Sequence, residues 1–270
     1  MPQPPAGRTV PSPVRPMTGA EAAFFDVDNT MMRGASLFAV ARKMYARKAF
    51  SLRHAASFGL KALWYAVRGE HVGDIHAVRD QALALAAGVL VDDLSSLGDE
   101  VYDEFIASKI WPGTRALADQ HLRAGRRVWL VTATPLEVAT VIADRLGLSG
   151  ALGTQVEHTD GVYTGRLVGE ILHGPAKAVA VARLAEEEGL DLAQCWAYSD
   201  SSNDLPLLEA VGHPVAINPD AKLRRHAVRN NWPVYDFRTG RRAATWTLKA
   251  ATVSGAVYGL WRGLGRVRGR

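Results

Sequence analysis

Cysteine is nearly absent from this sequence, which has one cysteine in 270 residues and therefore no internal disulfide framework. That residue, Cys195, lies in an apolar run, so we expect a buried small side chain rather than a reactive thiol. The eight histidines show no ligand spacing, which excludes a zinc site built from cysteine and histidine. The single cysteine fits a reducing cytoplasm. Apolar residues make up 48% of the chain, which is enough for a large core.

Acidic residues are missing from two long stretches, residues 33–68 and 238–270, each of which contains eight lysines or arginines. The chain has 32 basic residues, so these stretches leave 16 of them for all 27 acidic residues. The excess of positive charge is therefore confined to two segments, and the remainder of the chain is net acidic. This distribution favours an anionic membrane surface, at the inner face, as a candidate partner. Nucleic acid is disfavoured, because no recognised nucleic-acid-binding fold accompanies the charge.

The two ends of the sequence are expected to lie outside the core. Residues 1–18 hold six prolines and no apolar run, which predicts a disordered lead-in without a signal peptide. Residues 237–270 form a basic, apolar tail in which Ala243–Trp261 approaches the length of a membrane span but contains Lys249. An interfacial helix on anionic lipid and an ordinary helix docked on the core both fit this tail.

Polar side chains follow three apolar runs of the kind that form buried parallel strands. Because the carboxyl ends of parallel strands meet at one edge of a sheet, we expect these side chains to lie together. Pro175 predicts a helix start, which puts Lys177 in a first turn that faces the same edge. An acid, a hydroxyl, a lysine and distal acids form the set that phosphoryl transfer needs. The runs are Ala23–Phe25, Arg127–Val131 and Cys195–Ser199, followed respectively by Asp26 and Asp28, by Thr132, and by Asp200 and Asp204.

The remaining pattern is that of an alternating α/β protein. Apolar spacing predicts four helices between residues 35 and 109, where they would form a lid over the site. A short strand is expected at Ala151–Val156. Asp160–Gly161 predicts a hairpin that continues to Leu172 as a β flap.

These motifs, in this order, resemble the haloacid dehalogenase superfamily, specifically its subclass IB of phosphoserine phosphatase-like hydrolases, from Ala20 to about Asp236. The resemblance implies a Rossmann-like parallel sheet with an inserted all-helical C1-type cap and a β-hairpin flap. It assigns residues 19–34 and 110–236 to the catalytic core and residues 35–109 to the cap. The oligomeric state is left open.

The resemblance also assigns roles to individual residues. Asp26 would attack phosphorus and become an aspartyl-phosphate, and Asp28 would act as general acid and then general base. Mg²⁺ would be held by Asp26, the Asp28 carbonyl and Asp200, while Asp204 would support the waters of the metal. The phosphoryl group would be bound by Thr132 and the Ala133 N–H, while Lys177 would neutralise charge on it and on Asp26. Asn203 would contact either the phosphate or Lys177.

Each residue taken alone has a structural alternative. Thr132 could be the N-cap of a helix that follows Pro135, and Lys177 could be a solvated side chain in a first helical turn. Asp200 and Asp204 could be turn and cap residues. The functional interpretation therefore depends on the convergence of these side chains.

The substrate signature of phosphoserine phosphatases is incomplete in this sequence. Those enzymes place a glutamate nine residues after the nucleophile to bind the substrate ammonium, and here that position is Ala35. Arg79 is an offset candidate for their carboxylate-binding arginine. The basic and aromatic cap residues fit a larger anionic or lipid-like phosphomonoester, a lid that rests on an anionic membrane, or a solvated basic face over a packed helical bundle. A membrane-associated binding protein on an inactive fold is a competing hypothesis. These cap residues are Arg42, Lys43, Arg47, Lys48, Arg53, Lys61 and Arg68, with Phe50, Phe58, Trp64 and Tyr65.

Overall fold

A central parallel sheet organises the computed structural model, which describes residues 20–46 and 87–238. The strands are β1 (Ala22–Phe25), β2 (Arg127–Pro135), β3 (Gly150–Thr154), β4 (Val156–Thr159), β5 (Val162–Leu167), β6 (Trp196–Ser199), β7 (His213–Ile217) and β8 (Val234–Tyr235). Six of them pair in the order β3-β2-β1-β6-β7-β8, and all five pairings are parallel. The other two, β4 and β5, form a separate antiparallel hairpin.

Helices cover both faces of the sheet, as a parallel sheet requires. One core cluster joins Phe25 to Val101 and Ile142, and the other joins Phe24 to Val181 on the opposite face. The helices are α1 (Ser36–Ala46), α2 (Val91–Val101), α3 (Pro112–Arg123), α4 (Leu136–Arg145), α5 (Pro175–Glu188), α6 (Leu205–Glu209) and α7 (Ala221–Arg229). A π-helical turn (Tyr102–Ile106) and a 3₁₀ turn (Ala107–Lys109) continue α2.

The predicted α/β fold with a Rossmann-like parallel sheet is confirmed. The first and last of the four predicted cap helices correspond to α1 and α2, whereas the middle two fall almost wholly on residues 47–86, outside the described residues. The lead-in 1–18 and nearly all of the tail 237–270 are also outside them. The division between core and cap at residues 35 and 109 stays a prediction. None of the helices in residues 20–46 and 87–238 qualifies as a candidate membrane span.

The hairpin turn lies at the predicted Asp160–Gly161, where both residues have positive φ, as a tight two-residue turn requires. Two boundaries differ from the prediction. The expected strand Ala151–Val156 is divided, because β3 ends at Thr154 in the main sheet and Val156 begins the hairpin. The flap ends at Leu167 rather than Leu172, and Gly169, with a φ of 81°, turns the chain away from further pairing.

Candidate active site

Asp26 and Lys177 form a buried ion pair at the carboxyl edge of the sheet. The Lys177 Nζ atom donates to Asp26 Oδ1 at 2.6 Å, although the residues are 151 positions apart. Asp26 directly follows β1, while Lys177 occupies the first turn of α5, which begins at Pro175. Lys177 is 3% exposed, so it is not the solvated first-turn side chain of the structural alternative.

Asp204 holds Lys177 from the other side. The same Nζ atom donates to Asp204 Oδ2 at 2.8 Å, and the Ser199 hydroxyl donates to that oxygen at 2.7 Å. Asp204 and Ser199 are both buried. The observed contact of Asp204 is thus with the lysine, and its predicted support of metal-bound waters stays a prediction. Ser199 was not singled out by the sequence analysis, because a serine at a strand end carries no distinctive signal.

Asp200 lies in the loop that follows β6, and Asp220 fixes that loop. The Asp220 N–H donates to the Asp200 carbonyl at 2.8 Å, and the Ser202 N–H donates to Asp220 Oδ2 at 2.7 Å. Asp220 also caps α7 by accepting from the N–H groups of Lys222 and Leu223. Nothing in the sequence indicated that Asp220 supports the acidic loop.

The electrostatics of the site are those of several acids around one lysine. Burial raises the pKa of Asp26 to about 6, an effect that Lys177 opposes and Asp204 and Asp28 reinforce. Burial likewise raises the pKa of Asp200 to about 7, with added repulsion from Asp26 and Asp204. Burial lowers the pKa of Lys177, but the two bonded carboxylates outweigh it and leave the pKa raised, so the lysine stays charged.

Asp28 and Thr132 belong to a second network at the same edge. Asp28 Oδ1 accepts from the Ser36 N–H at 2.8 Å and from the Ser36 hydroxyl at 2.5 Å. The Ser36 hydroxyl also contacts Thr134 Oγ1 at 2.5 Å, and Thr132 donates to Thr134 at 3.1 Å. Thr132 lies within β2, and the residue that precedes α4 is Pro135, so Thr132 is not the N-cap of that helix.

The predicted contacts of Asn203 and of the Ala133 N–H with a phosphate group stay predictions. Asn203 is exposed, and its backbone N–H donates to Ser201 Oγ at 3.2 Å. Within residues 20–46 and 87–238, no hydrogen bond joins the Asn203 side chain to Lys177. Ala133 lies between Thr132 and Thr134 in β2, and its carbonyl accepts from Thr154 at 2.7 Å.

Two of the basic cap residues contact the returning segment of the cap. Lys43 pairs with Glu100 at 2.9 Å and also with Glu104, while the Arg42 guanidinium lies 4.7 Å from the ring centroid of Phe105. These two cations therefore help to join α1 to α2 and the π-helical turn. Arg47, Lys48, Arg53, Lys61, Arg68 and Arg79 lie outside the described residues.

The donor set fits a hard, oxygen-liganded cation such as Mg²⁺. Three or more His, Cys, Asp or Glu side chains do not converge on one metal position anywhere in the described ranges. The predicted set, two carboxylates, the Asp28 carbonyl and waters, does not need such a cluster. Asp26, Asp200 and Asp204 share the single positive charge of Lys177, so their carboxylates outnumber it when all are ionised. Burial, with added repulsion between these acids, raises the pKa values of Asp26 and Asp200. A bound divalent cation would offset that excess.

Known proteins are similar to this chain in both sequence and fold. The family model described as haloacid dehalogenase-like hydrolase matches residues 23–209. The Mycobacterium tuberculosis protein named phosphoserine phosphatase SerB1 is 51% identical over 245 residues, which cover 90% of this chain and 80% of that protein. The histidinol-phosphatase of Neisseria meningitidis is 32% identical over 220 residues, covering 80% of this chain and 98% of that protein. A solved structure from Bordetella pertussis, of unknown function, has a TM-score of 0.71 at 30% identity and covers 81% of this chain and 99% of that chain.

The chain belongs to the haloacid dehalogenase-like hydrolases. The family predicted from the sequence is therefore confirmed, and so is the prediction of an enzyme of the phosphatase class. The matched interval contains every predicted site residue, from Asp26 to Asp204.

Proposed function

We propose that the chain hydrolyses phosphomonoesters through an aspartyl-phosphate on Asp26, with Mg²⁺ as cofactor. The observation that carries this proposal is the buried contact of Lys177 with Asp26 at 2.6 Å, completed by Asp204 at 2.8 Å. A carboxylate that attacks a phosphate dianion meets charge repulsion, and a fixed, charged lysine at the attacking group reduces it.

In the first step, an Asp26 oxygen forms a bond to phosphorus while the bond from phosphorus to the leaving oxygen breaks. Lys177 holds Asp26 Oδ1, so Oδ2 is the oxygen left to attack. Asp28 gives its carboxyl proton to the leaving oxygen, which departs as an alcohol. The Thr132 hydroxyl and the Ala133 N–H bind oxygens of the transferring group, and Asn203 would complete this binding.

In the second step, Asp28 removes a proton from a water molecule, whose oxygen attacks phosphorus. The bond between Asp26 and phosphorus breaks, inorganic phosphate leaves, and Asp28 is again protonated for the next cycle. Mg²⁺, held by Asp26, the Asp28 carbonyl and Asp200, would supply positive charge to the phosphoryl oxygens. Asp204 keeps Lys177 aimed at Asp26 throughout.

The substrate class that we propose is a small phosphomonoester, with serine phosphate as one candidate among several. The names of two relatives point to phosphoserine and to histidinol phosphate. Ala35 stands where phosphoserine phosphatases carry an ammonium-binding glutamate, which argues against a strict requirement for serine phosphate. A larger or lipid-like phosphate, met at the membrane through the cap and tail, is the alternative.

Phosphate release by the purified full-length chain tests the proposal. The panel contains p-nitrophenyl phosphate, phosphoserine, histidinol phosphate and lysophosphatidic acid, each with Mg²⁺ and with a chelator. We expect metal-dependent turnover that Asp26→Asn abolishes and Asp144→Asn, an exposed acid on α4, leaves unchanged. An absence of turnover across the panel, together with binding to anionic vesicles, would instead support the binding protein on an inactive fold.

A further inference from the structure

A chain of three hydroxyl groups joins the general acid Asp28 to the phosphate-binding residue Thr132. Ser36 Oγ lies 2.5 Å from both Asp28 Oδ1 and Thr134 Oγ1, and Thr134 Oγ1 lies 3.1 Å from Thr132 Oγ1. Ser36, Thr134 and Thr132 are at most 1% exposed. Water therefore does not compete for these bonds, and each is stronger than it would be at the surface.

The number of hydroxyl hydrogens fixes the direction of each hydrogen bond in this series of three hydroxyl groups. A hydroxyl has one hydrogen to donate, and Oδ1 of an ionised Asp28 can only accept. Ser36 must therefore give its hydrogen to Asp28, so Thr134 gives its hydrogen to Ser36 and Thr132 gives its hydrogen to Thr134. The three groups point one way, toward the carboxylate, and such aligned bonds reinforce one another.

Asp28 Oδ1 is thereby occupied by two donors, the N–H and the hydroxyl of Ser36. Its other oxygen, Oδ2, has no hydrogen-bond partner in the described part of the chain. When Asp28 carries a proton, that proton is therefore directed to Oδ2, because Oδ1 already accepts both Ser36 hydrogens. The bonds to Ser36 also limit rotation of the carboxyl group, which keeps Oδ2 in one orientation.

We infer that Ser36 is a positioning residue that, backed by Thr134, fixes the carboxyl group of Asp28 so that its acidic proton sits on Oδ2. This inference rests on the proposed function of Asp28 as general acid. Ser36 is also the first residue of α1, so the same bonds attach the start of the cap to the catalytic acid. When substrate phosphate takes the Thr132 hydrogen, Thr134 still donates to Ser36, so the position of Asp28 is retained.

The sharpest kinetic test uses the dependence of rate on the leaving group. Protonation by Asp28 matters most for an alkyl phosphate, whose leaving alkoxide is strongly basic, and least for p-nitrophenyl phosphate. For Ser36→Ala we expect kcat/KM to fall about 10-fold with the best alkyl phosphate of the panel and no more than about 2-fold with p-nitrophenyl phosphate. Ser36→Thr, which keeps the hydroxyl, restores the alkyl activity.

Further variants separate positioning from a general loss of structure. Thr134→Val removes the supporting hydroxyl at constant shape and gives a smaller version of the same selective loss, whereas Thr134→Ser does not. Ser95→Ala is the matched control, because the Ser95 hydroxyl bonds the Val91 carbonyl of its own helix. In an Asp28→Asn background, Ser36→Ala has no further selective effect. Equal losses with both substrates, or a full second loss in that background, would overturn the inference.

A measurement without turnover keeps this inference separate from the proposed function. Crystal structures of the metal-free wild type and of the Ser36→Ala, Ser36→Thr and Ser95→Ala variants report the orientation of the Asp28 carboxyl group directly. We expect it to rotate or become disordered in Ser36→Ala alone. If Asp28 keeps the wild-type orientation in Ser36→Ala, Ser36 does not position it, whether or not the enzyme hydrolyses phosphate.

Discussion

Replacing Lys177 with methionine removes the cation that contacts both Asp26 and Asp204 while keeping an unbranched side chain of similar length. Both contacts are short, 2.6 and 2.8 Å, and all three residues are at most 6% exposed. The substitution therefore leaves two buried carboxylates without the charge that they share. Ser199 still donates to Asp204, but no described cation replaces the lysine at Asp26.

Two magnitudes follow from this geometry. Removing one partner of a buried ion pair costs about 3–5 kcal/mol of unfolding free energy, because the remaining charge is buried and unpaired. Removing a fixed donor from a developing negative charge lowers kcat by about 10²–10³-fold. We therefore expect Lys177→Met to be less stable by several kcal/mol, about 3–5, and nearly inactive.

The assay combines urea denaturation of the metal-free protein at pH 8 with steady-state hydrolysis in Mg²⁺. Lys222→Met, an exposed lysine on α7, is the matched control and should change stability by less than about 0.5 kcal/mol. Adding Asp26→Asn to Lys177→Met removes one unpaired charge and should recover about 1–3 kcal/mol of stability without recovering activity. A Lys177→Met variant with wild-type stability and a kcat within about threefold of wild type would refute the reasoning.

Three further predictions concern pH and packing. Burial lowers the pKa of His121 to about 4, so the unfolded chain takes up a proton below pH 6.5 that the folded chain does not. Up to about 3 kcal/mol of stability is therefore lost as pH falls toward 4, and in His121→Gln the stability measured by urea titration should fall less steeply over this range. The pKa of Asp200 is raised to about 7, so its charge opposes folding as pH rises from 4 to 7, and metal-free Asp200→Asn should be more stable than wild type at pH 8 yet inactive. In Gly153→Ala the new Cβ would lie 2.6 Å from Leu136 Cα and 2.9 Å from the Thr134 carbonyl, so thermal denaturation should show a loss of about 1–3 kcal/mol.

Much of the fold could be predicted from local pattern. The strands β1, β2 and β6 are short apolar runs that end in polar residues, and the turn at Asp160–Gly161 needs two residues that tolerate positive φ. The flap boundary could not be predicted, because the residues after Leu167 remain compatible with a strand and only the backbone of Gly169 ends it. The two-residue edge strand β8 was also missed, since two residues carry no periodicity.

The sequence singled out the charged members of the candidate site and Thr132, but not the side chains that support them. Asp26, Asp28, Lys177 and Asp200 stand at strand ends or at a helix start, where their residue types are distinctive. Ser36, Ser199 and Asp220 were not assigned to the site. Their importance comes from hydrogen bonds that local sequence pattern does not show. Ser36 bonds Thr134 across 98 positions, the Ser202 N–H bonds Asp220 across 18, and Ser199 bonds Asp204 across five. Serine and a helix-capping aspartate are common enough that only the geometry distinguishes these three.

The identity of the phosphorylated residue is the most direct test of the account. The enzyme is mixed with Mg²⁺ and substrate, quenched during turnover, treated with borohydride and mapped by mass spectrometry, since borohydride reduces an acyl phosphate of aspartate to homoserine. We predict homoserine at position 26 in the presence of substrate and an unmodified aspartate without it. Continued turnover with Asp26 intact, or reduction at a different aspartate, would contradict the account.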